Sequence, residues 1–138
     1  MDIKKRILAL DIGTKRIGLA ISDALGLGAT PVKTIQRTED SKAREEIIKV
    51  LKEYNTDQIL IGIPYNMDGS IGFQAKNCLD FIKPLEKEYT ILKQDERLSS
   101  FESEEILKER GKNYTKNKGL VDMTAAAVIL QNYLDNLK

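Results

Sequence analysis

Histidine is absent from this chain of 138 residues, and cysteine occurs once, as Cys78. The lack of histidine excludes Ser-His-Asp and Cys-His nucleophile systems, a histidine general base and histidine-ligated zinc. A single cysteine excludes a disulfide within the chain and fits a reducing cytoplasm. Any catalysis must therefore use carboxylates, lysines, hydroxyl groups or a bound metal.

Long hydrophobic runs are also missing. No stretch approaches the roughly 20 apolar residues of a membrane-spanning helix, and the basic residues 4–6 lead into a strand pattern without a signal-peptide core. We therefore expect a soluble, cytoplasmic protein with no membrane partner. The net charge of +1 does not indicate a strongly basic nucleic-acid-binding domain. The length suits one compact domain, residues 1–138, and is too short for two.

The hydrophobic pattern predicts an α/β domain with the element order βββαβαβαα. Strands are predicted at 7–10, 17–22, 30–37, 58–63 and 89–92, and helices at 41–54, 71–85, 99–111 and 122–137. Short links between the first three strands predict an antiparallel meander, whereas the apolar run at 58–63 is typical of a central parallel strand. The helix at 99–111 is predicted to begin with a capping box formed by Ser99 and Glu102.

One carboxylate stands where the first apolar strand gives way to a glycine turn. Asp11 follows the run 7–10 and precedes Gly13, so its side chain is expected at the rim of the sheet. An acid at that rim can hold a hard cation such as Mg²⁺ through oxygen. Asp-x-Gly segments also form Asx-turns. On this triplet alone, the metal site and the turn are equally good interpretations.

Further acids are predicted to share that edge. Asp95 and Glu96 lie just past the fifth strand, and Asp122 opens the last helix. All of them could converge with Asp11 at the carboxyl ends of the parallel strands, where open α/β sheets keep their sites. Each also has a structural explanation. Asp122 could cap its helix, which would stabilise the protein by roughly 1 kcal/mol. Asp95 or Glu96 could form a surface ion pair with Arg97.

Basic residues crowd the same segments. Lys15 and Arg16 follow the Asp11 turn, and Arg97 follows the second acidic segment. Three lysines crowd the segment before the last predicted helix: Lys112, Lys116 and Lys118. Such cations could hold backbone phosphates beside a metal centre. With 31% charged residues in the chain, a solvated surface explains the lysine segment at least as well.

Four segments resemble, in the same order, those of the YqgF proteins, also called RuvX, of the ribonuclease H-like superfamily. They read DIGTKRIGLA at 11–20, GIPYNMDGS at 62–70, DERLSS at 95–100 and KGLVDMTAA at 118–126. The resemblance implies a ribonuclease H-like five-stranded mixed sheet, three antiparallel and then two parallel strands, flanked by helices. It also implies a cytoplasmic bacterial nuclease that trims the 5′ end of pre-16S ribosomal RNA during ribosome biogenesis.

The resemblance also assigns roles to individual residues. It implies three catalytic, metal-binding carboxylates: Asp11, Glu96 and Asp122. The implied cofactor is Mg²⁺ or Mn²⁺, as two ions roughly 4 Å apart. Four cations are expected to contact nucleic acid: Lys15, Arg16, Arg97 and Lys118.

The sequence departs from the superfamily pattern at the fourth strand. Resolvases and ribonuclease H enzymes carry a second acid at or near that strand, whereas residues 62–64 here are glycine, isoleucine and proline. Glu96 must then reach in from the neighbouring strand, and Asp95 and Asp68 are additional candidates. Asp68 is better explained as a turn residue before a glycine.

Other functional classes stay open. The pattern Asp-x-Gly-x-Lys also resembles the phosphate loop of the actin, hexokinase and chaperone ATPases, but those enclose nucleotide between two domains. A Holliday junction resolvase would act on branched DNA, normally as a two-fold dimer. A noncatalytic ribosome-assembly factor would keep the cations yet tolerate loss of the carboxylates. No motif decides between RNA and DNA, or between monomer and homodimer.

Overall fold

The computed structural model describes residues 5–97 and 118–137, with side chains from Met123 onward in the second range. The strands are β1 (Ile7–Ile12), β2 (Arg16–Ser22), β3 (Ala29–Gln36), β4 (Gln58–Ile63) and β5 (Thr90–Asp95). The helices are α1 (Asp40–Glu53), α2 (Phe73–Ile82) with a 3₁₀ turn (Lys83–Leu85) behind it, and α3 (Lys118–Asn136). The predicted helix at 99–111 lies outside the described residues. None of the helices that are described is long and apolar enough to cross a membrane.

Within the described ranges, five strands form one mixed sheet in the order β3-β2-β1-β4-β5. β1 pairs antiparallel with β2, and β2 with β3, whereas β4 runs parallel to both β1 and β5. Short turns permit the antiparallel pairs, while each parallel pair needs a helical crossover, supplied by α1 and α2. The predicted ribonuclease H-like sheet, with three antiparallel and then two parallel strands, is confirmed.

Helices cover both faces of this sheet. Side chains alternate along a strand, so Leu8 and Leu10 of β1 pack in the core beneath α1 and α2, while Ala9 packs against α3. α1 contacts this larger core through Ala43 and Ile47 among others. Because both faces are covered, β1 and β4 read as nearly continuous apolar runs.

β5 is longer than predicted. The predicted strand ended at 92 because residues 93–95 are polar, yet these residues pair in register with 61–63 of β4. β5 is an edge strand, where polar and charged side chains can face solvent without disturbing the ladder. The extension carries the chain directly to Glu96 at the carboxyl edge of the sheet.

Two helix starts also differ from the prediction. α2 begins at Phe73 instead of 71, because Gly72 has an extended backbone with φ −91° and ψ −168°. α3 begins at Lys118, so the expectation that Asp122 opens this helix is wrong, and the alternative that Asp122 caps it is excluded. Asp is favoured near a helix N-terminus by the helix dipole as well as by capping. An aspartate just before an apolar stripe therefore resembles a helix start, although Asp122 lies in the second turn of α3.

Candidate active site

Asp11 lies one residue before the end of β1, at the carboxyl edge of the parallel strands. Its partner on β2 is Gly18, and the register of β1 with β4, continued by one residue, sets Gly62 on its other side. Because side chains alternate, Asp11 shares with Ala9 the face that α3 covers. Neither flanking glycine has a side chain, which leaves room at 62 for another residue to enter.

Glu96 enters the space over Gly62 from the end of β5. A Cβ atom built on Gly62 would lie 2.6 Å from Glu96 Cγ and 3.2 Å from its carboxyl carbon. Glu96 is only 5% exposed, and its backbone N–H donates to the Ile63 carbonyl at 3.0 Å. The glycine in β4 is therefore what allows an acid from the neighbouring strand to lie over β4. Asp11 and Glu96 flank the same glycine.

Gln94 ties this acid to the helix above it. Gln94 Nε2 donates to Glu96 Oε1 at 3.0 Å and to the carbonyl of Ile129 in α3 at 3.1 Å. The position of Glu96 thus depends on the packing of α3 against the sheet. Sequence analysis gave Gln94 no role, since a polar residue near an edge strand has no distinctive pattern.

Asp122 lies on α3 about two helical turns, roughly 10 Å of rise, before Ile129. Ile129 Cδ1 would be 3.0 Å from a Cβ on Gly62, so α3 contacts the position that Asp11 and Glu96 flank. The side chains of Asp122 and Lys118 lie outside those described. Among the described side chains, no three acidic or cysteine residues come together as a metal site.

A cleft of about 390 Å³ opens beside Asp11. It is lined by residues 11–16 of the β1–β2 turn, by Pro64 after β4 and by Gln74 at the start of α2. Lys15 and Arg16, the cations predicted beside Asp11, belong to this lining. An anion in the cleft would lie next to a carboxylate and to cations, an arrangement that suits a phosphate held beside a metal ion.

The β1–β2 turn is held in one conformation by hydrogen bonds. The Gly13 N–H donates to the Arg16 carbonyl at 2.9 Å, and a Cβ on Gly13 would lie 2.7 Å from that oxygen. Arg37 Nη1 donates to the Gly13 carbonyl at 2.7 Å, and the Arg37 backbone N–H donates to the Lys15 carbonyl at 2.8 Å. Arg37 therefore braces the turn that lines the cleft.

Arg37 is an almost buried cation, with a side chain that is 8% exposed. Its guanidinium lies 4.8 Å from the centre of the Phe81 ring, and its Nε pairs with Asp40 at 2.8 Å. The hydrogen bond from Arg37 lowers the pKa of the Asp40 carboxyl below its ordinary value. Arg37 carries no sequence signal for this role, because a lone arginine after a strand is indistinguishable from a solvated surface cation.

The guanidinium group of Arg97 forms an ion pair and a hydrogen bond with groups of the protein itself. Its Nη2 lies 2.7 Å from Asp95 Oδ2, and its Nη1 donates to the Met67 carbonyl at 3.1 Å. Hydrogen bonds from Arg97 lower the pKa of the Asp95 carboxyl. Since Asp95 and Glu96 are consecutive, they point to opposite sides of the sheet edge. Asp95 is thus directed to the loop after β4, and Glu96 to α3.

Asp68 forms the turn predicted for it. Its Oδ1 accepts hydrogen bonds from the Ser70 hydroxyl at 2.6 Å and the Ser70 N–H at 2.9 Å. These bonds lower the pKa of its carboxyl. Gly69 follows with φ +88°, a left-handed conformation that glycine adopts without steric cost. Turn formation accounts for Asp68 without a metal.

The sheet order and the helices on both faces define a ribonuclease H-like α/β protein. A crystal structure of fowlpox virus resolvase with its substrate Holliday junction DNA has the same fold, with a TM-score of 0.58 at 16% sequence identity. The superposition covers 96% of this chain and 98% of the resolvase.

Sequence relatives identify the family within this class. The model of the RuvX family, described as Holliday junction resolvase, matches residues 5–136. A protein of Lachnospira eligens is 40% identical over 136 residues, covering 95% of this chain and 97% of that protein. A protein of Crocosphaera subtropica is 46% identical over 130 residues, covering 93% and 91%. Both are named "Putative pre-16S rRNA nuclease". This chain belongs to the RuvX family.

Proposed function

We propose that this protein hydrolyses phosphodiester bonds of nucleic acid at the sheet edge where Asp11 and Glu96 flank Gly62. The observation that best supports this proposal is the position of the Glu96 side chain directly over Gly62. Glu96 is buried and accepts a hydrogen bond from Gln94, and it lies beside the position of a second acid. Asp122, from the helix that contacts the same glycine, is the third carboxylate of the proposed site.

Carboxylate oxygens are the ligands that Mg²⁺ and Mn²⁺ prefer. Two such ions, when bound, supply an activated water and neutralise the charge of the leaving oxygen. Asp11 projects from a strand, and Glu96 is held by the Gln94 amide. The protein thus orients two ligands on rigid elements, which is how a site keeps its geometry.

The cations of the β1–β2 turn are proposed to hold the substrate. Lys15 and Arg16 line the cleft beside Asp11, where they can bind the phosphates that flank the scissile bond. Lys118, at the start of α3, is proposed to extend this contact. The pairing of Arg97 with Asp95 favours a structural role for Arg97 over the phosphate contact expected from sequence.

We propose the 5′ end of pre-16S ribosomal RNA as the substrate, trimmed in the cytoplasm during ribosome biogenesis. The names of the Lachnospira and Crocosphaera relatives support this choice. Branched DNA is the second candidate. It is favoured by the description of the family and by the fold shared with a resolvase that was solved with a Holliday junction.

Cleavage by the purified protein tests both substrates. We expect a 5′-extended 16S rRNA precursor to be shortened in the presence of Mg²⁺ or Mn²⁺ and to stay intact in EDTA. Cleavage of a four-way DNA junction with the RNA untouched would assign the second candidate. Binding of either substrate without metal-dependent cleavage would contradict nuclease activity and support a noncatalytic assembly factor.

The third ligand has its own test. Asp122→Asn keeps the size of the side chain and removes its charge, so we expect weaker Mg²⁺ or Mn²⁺ binding in calorimetry with a nearly unchanged melting temperature. Asp135→Asn, an exposed position near the other end of α3, is the matched control. Equal metal affinity in both variants would remove Asp122 from the site.

A further inference from the structure

Exposed apolar side chains are concentrated in the segment after β4. Of the six large apolar side chains that are exposed in the described residues, three fall within 67–73. Met67 is 74% exposed, Ile71 58% and Phe73 78%. Single exposed apolar residues are ordinary, but a group of them beside a cleft indicates a contact surface. We call these three side chains the apolar rim.

The backbone that carries the apolar rim is well fixed. The Asn66 N–H donates to the Ser70 carbonyl at 2.9 Å, and the Gly69 N–H donates to the Asn66 carbonyl at 2.8 Å. Arg97 fastens the segment to the end of β5 through the Met67 carbonyl. Because this backbone is already ordered, a ligand that binds here does not lose much free energy to ordering the loop.

The apolar rim belongs to a segment that runs between two residues lining the cleft beside Asp11. Pro64 and Gln74, which bracket the segment, both line that cleft. Phe73 directly precedes Gln74 and stands at the first position of α2. An exposed aromatic residue is thus the immediate neighbour in the chain of a residue that lines the cleft together with Lys15 and Arg16.

We propose that the apolar rim stacks an unpaired nucleobase next to the phosphate bound in the cleft. This inference rests on the proposed function. Cations that follow the backbone, combined with aromatic faces for the bases, are the means by which proteins hold single-stranded nucleic acid. Phe73 provides the stacking face, and Met67 and Ile71 add exposed apolar side chains in the same segment. Bases inside a duplex are already stacked, so the apolar rim favours an unpaired nucleotide at the cleavage site.

The absence of tryptophan from this chain permits a direct test. Phe73→Trp introduces a single indole at the apolar rim, and Leu27→Trp introduces one at an exposed position of the β2–β3 turn. Both are made together with Asp11→Asn, so that no substrate is cleaved. We expect a short single-stranded RNA to quench the indole at 73 over the same concentration range in which anisotropy of a labelled RNA reports binding. The indole at 27 should not respond.

Affinity gives a second readout. Phe73→Ala should bind single-stranded RNA roughly tenfold more weakly, whereas Phe73→Tyr, which keeps a ring for stacking, should bind as the parent does. Neither change should alter the affinity for a blunt duplex.

The outcomes separate this inference from the proposed function. RNA binding at parental affinity with no change of the Phe73→Trp emission would overturn the stacking role and leave the proposed function intact. Equal quenching by a blunt duplex would contradict the preference for unpaired bases. An emission change that follows protein concentration without RNA, with a doubling of mass in sedimentation, would assign the apolar rim to a second copy of this chain. Failure to bind any nucleic acid would overturn both proposals.

Discussion

Gly62→Ala places a methyl group in the space that Glu96 occupies. The new Cβ would lie 2.6 Å from Glu96 Cγ and 3.0 Å from Ile129 Cδ1, well inside the roughly 3.5–4.0 Å of favourable carbon contacts. Either the Glu96 side chain moves or the strands around it shift. Overpacking of this kind costs about 1–3 kcal/mol. We therefore expect a lower free energy of unfolding together with weaker Mg²⁺ binding, since the displaced acid is a proposed ligand.

Urea unfolding followed by circular dichroism measures the stability, and calorimetric titration measures the metal affinity. Gly28→Ala is the matched control, because a Cβ at 28 would meet its nearest atom, Asp23 Oδ2, at an ordinary 3.5 Å. We expect that control to change the free energy of unfolding by less than about 0.5 kcal/mol and to leave metal binding unchanged.

A double-mutant cycle isolates the contact. Glu96→Ala removes the Cγ atom, so Gly62→Ala should cost at least about 1 kcal/mol less in that background than in the parent protein. An equal cost in both backgrounds would refute the reasoning and assign the strain to Ile129 or to the backbone. Parental metal affinity in Gly62→Ala would show that the position of Glu96 does not matter for the metal.

Three further predictions concern cations and the buried thiol. Arg37→Gln should weaken nucleic-acid binding because turn 13–16 loses its brace. Arg44, which donates to the Phe81 carbonyl at 3.1 Å and does not contact that turn, is the control: Arg44→Gln should lower the melting temperature alone, and equal losses of affinity would contradict this. Burial raises the pKa of the Cys78 thiol from 9.0 to about 11, so its contribution of about 3 kcal/mol is present below pH 9 and lost as the pH rises to about 11. Cys78→Ala should flatten the stability curve over that window; an unchanged curve would exclude the thiol as its cause. Arg97→Ala should lower the melting temperature while the salt dependence of nucleic-acid binding stays the same. A weaker dependence of affinity on salt, at parental stability, would show that Arg97 contacts a phosphate.

Local patterns predicted most of the sheet. β1 and β4 are apolar runs because both of their faces are buried, and the glycine turn after Asp11 separates β1 from β2. The polar end of β5 carried no such signal, since its pairing is imposed by β4 and its side chains lie at an edge. The start of α3 was misplaced because aspartate is a favoured cap residue, whereas Asp122 lies in the second turn of the helix.

The candidate site was only partly predictable from sequence, because some of its residues are positioned by distant parts of the chain. Asp11 could be found because a strand and a turn define its place locally. The choice between Asp95 and Glu96 depends on which side of the sheet each faces, and therefore on how far β5 extends. Gly62 did carry a signal, since an isolated glycine within a strand often marks a close approach of another group. Arg37 carried none, because its partners come from distant segments.

The rate of Mg²⁺-dependent RNA cleavage by Asp11→Asn and Glu96→Gln, compared with that of the parent protein, tests the proposed carboxylate site most directly. Each variant keeps the shape of the side chain and removes the anionic oxygen that a metal requires. We expect each to cut a 5′-extended 16S rRNA precursor at least about 100-fold more slowly, with RNA affinity and melting temperature close to parental. Cleavage by either variant at the parental rate, or cleavage by the parent protein in EDTA, would contradict a metal site built on these two acids.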